Sequence, residues 1–198
     1  HIAHYMVEDN QFDVVGCYDD FAEKGTIVFG YPILGRLNEV EQDYRNGVFD
    51  EIINAIGYTR FKYRKELYDR FVDKVPFATF IHSTCLVDST AKIGKGVVIF
   101  PFCIVYLDAV IEDNVFIQIR SYVTDSKVKK HTLLSGTVSI AGRSEIGECC
   151  FLGISTTVSN DVKVCDFVTT GASTAVVRDI TESGLYVGAP ARKIKDIY

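Results

Sequence analysis

The stretch SIAGRSEIGECCFLGISTTV, residues 139–158, decides the fold. Ile140, Ile146, Leu152 and Val158 stand six residues apart in it, and a compact residue follows each of the first three four places later: Ser144, Cys150 and Thr156. Working backwards, the aliphatic series continues through Leu134 and Val128, then Val123, Ile117, Ile111, Val105, Ile99, Ile93, Val87 and Ile81. Forwards it runs through Val164, Thr170 and Val176. Sixteen of these seventeen positions are Ile, Leu or Val, where a composition of roughly one quarter would give about four or five.

A period of six matches neither the 3.6 of a helix nor a heptad, and β-branched aliphatics favour strands. One short strand and one corner per six residues, stacked in register, predicts a parallel β-helix. The glycines of Ile93-Gly94, Ile146-Gly147 and Leu152-Gly153 are expected at corners that need backbone freedom. Cys149 and Cys150 then read as one outward and one inward residue of a single unit rather than a metal pair.

The count fails once. Val123 to Val128 is five residues, and Asp125 and His131 lie beside the loss. A deletion shortens one corner without breaking the coil, so it is either a remodelled site or a harmless local change. Asp125 reads as a turn former or as an acid with a chemical role. His131 reads as a solvent-facing corner residue or as a base that swings in from the next unit.

Composition bounds the partners. The chain has 198 residues, 47% hydrophobic and 24% charged, with a formal net charge of −5, which suits a globular protein and argues against nucleic acid. The longest apolar run, residues 97–107, is too short to span a membrane, and HIAHYMVEDN has no signal-peptide pattern. A cytoplasmic location is expected. The six cysteines, without CxxC spacing, read as buried free thiols before they read as reactive ones. No metal is expected.

Ahead of the repeat, VVGCYDD (residues 14–20) reads as a strand ended by an acid pair, and FDEIINAIGY (residues 49–58) as a second strand ended by glycine. Residues 59–74 read as an amphipathic helix, which gives a small α/β unit with a parallel sheet. Ligands of such units sit at the carboxyl ends of strands. Asp19, Asp20, Gly57, Tyr58 and Thr59 fall there, although a turn and a helix cap account for them equally.

The hexads, IGKGVVI (residues 93–99), the quoted stretch and the tail GLYVGAPARK (residues 184–193) resemble the left-handed parallel β-helix acyltransferases. A small front unit joined through Ile81-His82-Ser83-Thr84 to such a coil is similar to the NeuD and PglD type of sugar acyltransferases. The resemblance implies a Rossmann-like nucleotide-binding unit over residues 1–78, followed by a left-handed parallel β-helix over residues 79–198. It implies acyl transfer from acetyl-CoA to an amino or hydroxyl group of a nucleotide-linked sugar such as a UDP-sugar, for polysaccharide or glycan synthesis, in a homotrimer.

On the same resemblance Asp19 and Asp20 face the ribose or base, and Gly57 and Tyr58 the diphosphate. Gly142, Gly153, Ile154, Gly171 and Ala172 lie along the pantetheine arm, and Arg192 and Lys193 meet the phosphates of coenzyme A, or else form a solvated basic tail. The family's base, a histidine, corresponds to Asp125, and its second histidine to Leu133. With neither histidine present, Asp125 and His131 are the candidates for the base. Histidine suits that task near neutral pH better than a carboxylate does. Family members also begin with a strand and a glycine-rich turn, so residues ahead of His1 are expected in the native protein. Two other readings stay open: a degenerate member that binds without turnover, and an acetyltransferase of a small acceptor such as serine or a free sugar.

Overall fold

In the computed structural model, which describes residues 1–57 and 60–197, the repeat winds into a triangular coil of parallel strands. Face one stacks residues 80–81, 98–99, 116–117, 133–134, 151–152, 168–170 and 184–187. Face two stacks 86–87, 104–105, 122–123, 139–140, 157–158 and 175–176, and face three 92–93, 110–111, 127–128, 145–146 and 163–164. The arrangement fits a left-handed parallel β-helix. Isoleucine, leucine and valine of the six-residue series line its interior, with Ile99, Ile117, Val123, Leu134, Ile140 and Ile146 fully buried. Each such side chain withdrawn from water contributes about 1.5–3 kcal/mol.

The compact series has a second task besides fitting. Cys85, Ser126, Thr132, Ser144 and Cys150 each donate from the side chain to the carbonyl of the residue fifteen places on, at 2.7–3.3 Å. Hydroxyl and thiol groups there satisfy corner carbonyls that the strand ladders miss.

The corners also explain the slip. One residue per unit is left-handed, with φ of 53–63° at Phe102, Asp108, Asn114, Arg120, His131, Thr137, Arg143, Cys149, Ser155, Asp161, Phe167 and Ser173. The series skips from Arg120 to His131, so the unit 123–127 has lost its left-handed residue. Ser126 N–H instead donates to Thr124 O at 2.6 Å, closing a three-residue turn around Asp125. The pairs Val123↔Ile140 and Val128↔Ile146 keep their register on either side.

Gly94, Gly147 and Gly153 are not left-handed. A Cβ on any of them would collide with the backbone of the next coil, at Asp113, Cys165 and Thr170 respectively. They allow coils to approach, which corrects the expectation of backbone freedom. Cys149, expected outward, is as buried as Cys150, because it lies on a corner covered by the front unit.

That unit holds α1 (Ile2–Glu8), β1 (Cys17–Tyr18), β2 (Ile27–Val28), β3 (Tyr31–Gly35), α2 (Val40–Arg45) and α3 (Phe61–Phe71). β1 pairs parallel with β3, and β2 pairs antiparallel with it in a hairpin that the sequence reading missed. Residues 49–57 belong to no strand; among the described residues they join the segment that leads into the coil through the parallel bridge Ile52↔Phe77, and Gly57 O accepts from Arg60 N–H at 3.3 Å. A small α/β unit is therefore present, with a short mixed sheet in place of a continuous parallel one.

The unit lies along face one. Phe80, Val98, Phe100, Phe116 and Leu133 form one cluster with Ile2, Met6 and Phe61. Asp9 at the end of α1 accepts from the Ser83 N–H and hydroxyl at the start of the coil, which holds its carboxyl below the usual range.

Candidate functional site

The coil presents three different outer faces. Face one is covered. Face three carries a charge ladder, with Lys127 on Glu112 at 2.6 Å, Lys129 on Glu145 at 2.5 Å and Lys130 on Asp113 at 3.2 Å. Face two is uncovered and is apolar over its first coils, where Leu86 is 61% exposed and Ile104 36% and Phe102, Tyr106 and Leu107 project from the edges; Ser139, Thr157 and Ala175 follow on the same face. The candidate residues fall on the two edges of this bare face.

At the corner between faces two and three, Asp125 is exposed, held up by the three-residue turn. Its carboxylate rests over Gly142, seventeen residues on in the adjacent coil, where a Cβ would collide with Oδ1. Arg143 N–H donates to Asp125 O at 3.1 Å, while its guanidinium makes two 2.7 Å bonds to Asp161, which raise its pKa further. Asn160 completes the rim beside Gly142. Asp125 and Gly142 are brought together; Arg143, Asp161 and Asn160 were not read from the sequence, although each follows the repeat at the same corner.

At the other edge, between faces one and two, Gly153-Ile154 and Gly171-Ala172 stack one coil apart. Gly153 N–H is taken by Thr170 O and Gly171 N–H by Tyr186 O, so these two glycines serve the coil and its tail hairpin. Ile154 and Ala172 point outward; Ile154 O accepts from Ser173 N–H at 2.8 Å, while among the described residues no hydrogen bond uses the N–H of either residue. Two free N–H donors in file suit an extended amide-bearing chain such as pantetheine. Lys193 is bound by Glu182 at 3.1 Å and Asp196 at 2.8 Å, which raises its pKa and answers its charge. Arg192 is exposed beside it.

His131 does not join Asp125. It sits on the third corner, between faces three and one, with 2% of its surface exposed under α3. Nδ1 is 2.9 Å from the Asn114 amide, and the ring stands edge-on to Tyr68 at 5.4 Å. Burial pushes its pKa down to about 4, so it is neutral and forms no ion pair with Asp69 at neutral pH. Both the solvent-facing and the swinging reading of this residue are therefore corrected: a helix covers the corner. Leu133, at the place of the family's second histidine, is 1% exposed and packed against the front unit.

In the front unit, Asp19 accepts from its own loop at Phe21 and Ala22, and Asp20 accepts from Leu37 N–H at 2.9 Å. Both line a cavity of about 830 Å³, and Gly57 is exposed and outside its lining. Tyr58 and Thr59 lie outside the described residues. Burial raises the thiols of Cys149 and Cys150 to about 11 and about 12, so neither is poised as a nucleophile. Among the described residues no three His, Cys, Asp or Glu side chains gather to hold a metal, and no helix is long and apolar enough to cross a membrane.

No protein-family model matches the chain. Among curated proteins it is similar to the UDP-3-O-acylglucosamine N-acyltransferase of Delftia acidovorans, 40% identical over 85 residues that make up 41% of this chain and 24% of that protein. It is also similar to the enzyme of that name from Bordetella avium, 37% identical over 62 residues, 31% of this chain and 17% of the relative. The chain thus spans a quarter or less of the length of these relatives. Among solved structures, a mutant of perosamine N-acetyltransferase from Caulobacter crescentus in complex with CoA and GDP-perosamine has a TM-score of 0.91 at 24% identity, covering 98% of this chain and 91% of that one. The acetyltransferase domain of PglB from Neisseria gonorrhoeae FA1090 has a TM-score of 0.86 at 22% identity, covering 98% and 93%. The resemblance carried by the hexads is thus met again in sugar N-acyltransferases by sequence and, for the fold, in sugar N-acetyltransferases along the full length of the chain.

Proposed function

We propose that the chain transfers an acyl group, acetyl from acetyl-CoA first among them, to an amino group of a nucleotide-linked sugar, or to a hydroxyl as the second choice, for polysaccharide or glycan synthesis in the cytoplasm. The observation that carries the reading is that the coil and the front unit align together, in one superposition, with nucleotide-sugar N-acetyltransferases. Asp125 is the proposed catalytic residue. Its exposed carboxylate attracts a sugar ammonium and accepts the proton the nitrogen must lose. The free amine then attacks the thioester carbonyl: a C–N bond forms, the C–S bond breaks, and the released thiolate of coenzyme A takes up the second proton, which the nitrogen loses as it becomes an amide. Attack is direct: Cys103, Cys149 and Cys150 are buried, burial raises the Cys165 thiol, and the Cys85 thiol is engaged in donating to Phe100 O at 3.1 Å.

The bare face two supports a homotrimer, because an exposed apolar stripe of this kind is what a second copy covers. In a closed ring the Asp125 edge of one chain meets the Ile154–Ala172 edge of its neighbour, which sets base and acyl arm on opposite walls of one cleft. The front unit, with Asp19 and Asp20 at its cavity, is proposed to hold the nucleotide, with Gly57 and Tyr58 toward the diphosphate; Arg192 is proposed to meet a phosphate of coenzyme A.

One observation favours a second reading, a member that binds without turnover: the two histidine places of the family hold Asp125 and a buried Leu133. Thiol release from acetyl-CoA, measured with a panel of UDP-amino-sugars and GDP-perosamine, separates the two. Turnover that falls about a hundredfold or more in Asp125→Asn supports the transferase. Calorimetric binding of both ligands with no thiol release from any acceptor supports the binder, and no binding of either ligand sinks both.

A further inference from the structure

The compact residues inside the coil's corners stand in three files, and one file holds two cysteines in a row. Between faces one and two it runs Cys85, Cys103, Ser121, Val138, Thr156 and Thr174; the other two files hold one cysteine between them, Cys150. Cys85 and Cys103 each stand just before a paired residue of adjacent strands, Leu86↔Ile104. Both thiols turn inward and donate to the same kind of corner carbonyl, Phe100 O and Gln118 O, each at 3.1 Å. Their sulfurs are neighbours. The Cys103 S–H, turned toward Cys85, lowers the pKa of that thiol, and the Cys103 thiol is pushed up, by Cys85 first and by burial second.

Spacing permits a bond between them. Neighbouring strands stand about 4.8 Å apart, inside the Cα range of disulfides, about 4.4–6.8 Å, while the Cβ atoms have to close to about 4.5 Å. The corner therefore moves by a few tenths of an ångström, about 0.3 Å, and a bond closed against that pull is readily reduced. The pair is also within reach of solvent. Strands 80–81, 86–87 and 92–93 form the first coil and end their sheets, with no strand on their outer side among the described residues. Ile81, Cys85, Val87, Ala91 and Ile93 are consequently only partly buried, whereas Cys103, one coil further in, is 1% exposed. We propose that Cys85 and Cys103 form a reversible disulfide that staples the first coil to the second when the surrounding pool of small thiols is oxidised. The outer thiol reacts first: Cys85 gives its proton to water, and its thiolate attacks one sulfur of a small-molecule disulfide. An S–S bond forms to Cys85, and one small thiolate leaves and takes up a proton. Cys103 then loses its proton to water and attacks the Cys85 sulfur, expelling the second small thiolate. Two protein thiols are oxidised, and one small disulfide is reduced to two thiols. The staple acts where a stack of coils opens first, at a unit with a neighbour on one side only. Since the pair lies inside the coil at a different corner from Asp125, the proposal is independent of the acyl-transfer reading.

Treatment of the folded chain with glutathione disulfide, then alkylation of the remaining thiols and peptide mass spectrometry, tests it. A peptide linked through Cys85 and Cys103 is expected, and dithiothreitol should release it. Serine holds other places in the compact series, at 121, 126 and 144, so serine variants suit these corners. Cys103→Ser should stop at one glutathione carried on Cys85, and Cys85→Ser should leave Cys103 unmodified. Three results would overturn the pair: glutathione retained on Cys85 of the parent chain with no internal link, a link from Cys85 to a second chain, or both thiols still open to alkylation. Hydrogen exchange reads the staple itself. The amides of Leu86, Asp88, Lys92 and Gly94, which donate to the second coil, should exchange at least about tenfold more slowly once the link is made. Exchange unchanged in the linked protein would remove the stapling role.

Discussion

Asp125 and Gly142 meet only because the coil puts residues seventeen apart beside each other, and their fit is close enough to test. A Cβ at position 142 would collide with the Asp125 carboxylate, so Gly142→Ala should push that group off its line. Turnover is expected to fall by about tenfold or more, with the thermal unfolding midpoint little changed; equal activity in the variant would separate Asp125 from the chemistry. His131 belongs to stability instead. Its pKa is pushed down from 6.5 to about 4, chiefly by burial, with Lys65, Arg64 and Lys130 opposing its protonation and Asp69 favouring it. Between those two values the unfolded chain binds a proton that the folded chain does not, so stability rises with pH across that window and is fully present above it. The difference corresponds to about 3 kcal/mol. His131→Asn, which suits the left-handed backbone there, should flatten this part of the pH dependence in urea titrations run at pH 4.5, 5.5 and 7. A slope unchanged from the parent protein would contradict the assignment.

At the scale of elements, α3 is the piece that ties the front unit to the coil, and Arg64 is its fastener. This guanidinium is fully buried, and burial lowers its pKa to about 10, so it remains charged. It donates to Asn54 O at 2.8 Å, Ile56 O at 3.0 Å and, across to the coil, Asn114 O at 3.0 Å. Removing it would leave three carbonyls without donors, each costing about 1–3 kcal/mol where buried. Arg64→Ala is expected to destabilise by about 3 kcal/mol or more and to expose residues 50–57 to protease while the coil resists. A single cooperative transition with unchanged proteolysis would show that α3 is held elsewhere. The five-residue unit also belongs here: it removed the one left-handed position from its corner, leaving both strand pairs in register.

For the whole molecule, the three faces of the coil have different fates: covered by the front unit, laddered with ion pairs, and bare. The bare one should be an interface. Sedimentation of the purified protein is expected to give the mass of three chains, and Ile104→Glu combined with Leu107→Glu should give monomers with little thiol release, because each proposed cleft needs two chains. Trimers that survive both substitutions would place the contact on another face.

The six-residue spacing of aliphatic side chains was enough to read the coil, since one inward site per short strand and corner repeats at a period that neither a helix nor a long strand has. The same spacing marked the lost residue and put Asp125 beside it. What the sequence could not tell is how corners meet other elements. His131 and Asp125 are six residues apart in sequence and look equally available, but the coil sends them to different corners, and α3 then covers one of them. Leu133 is likewise an ordinary outward position until the front unit lies over it. The front unit itself was the least legible part: strands of two residues and a segment joined by a single bridge carry little periodic signal, and the cavity they line is formed by segments about forty residues apart. Local spacing determines which way a side chain leaves the backbone; which of those directions ends in solvent is decided by what packs there.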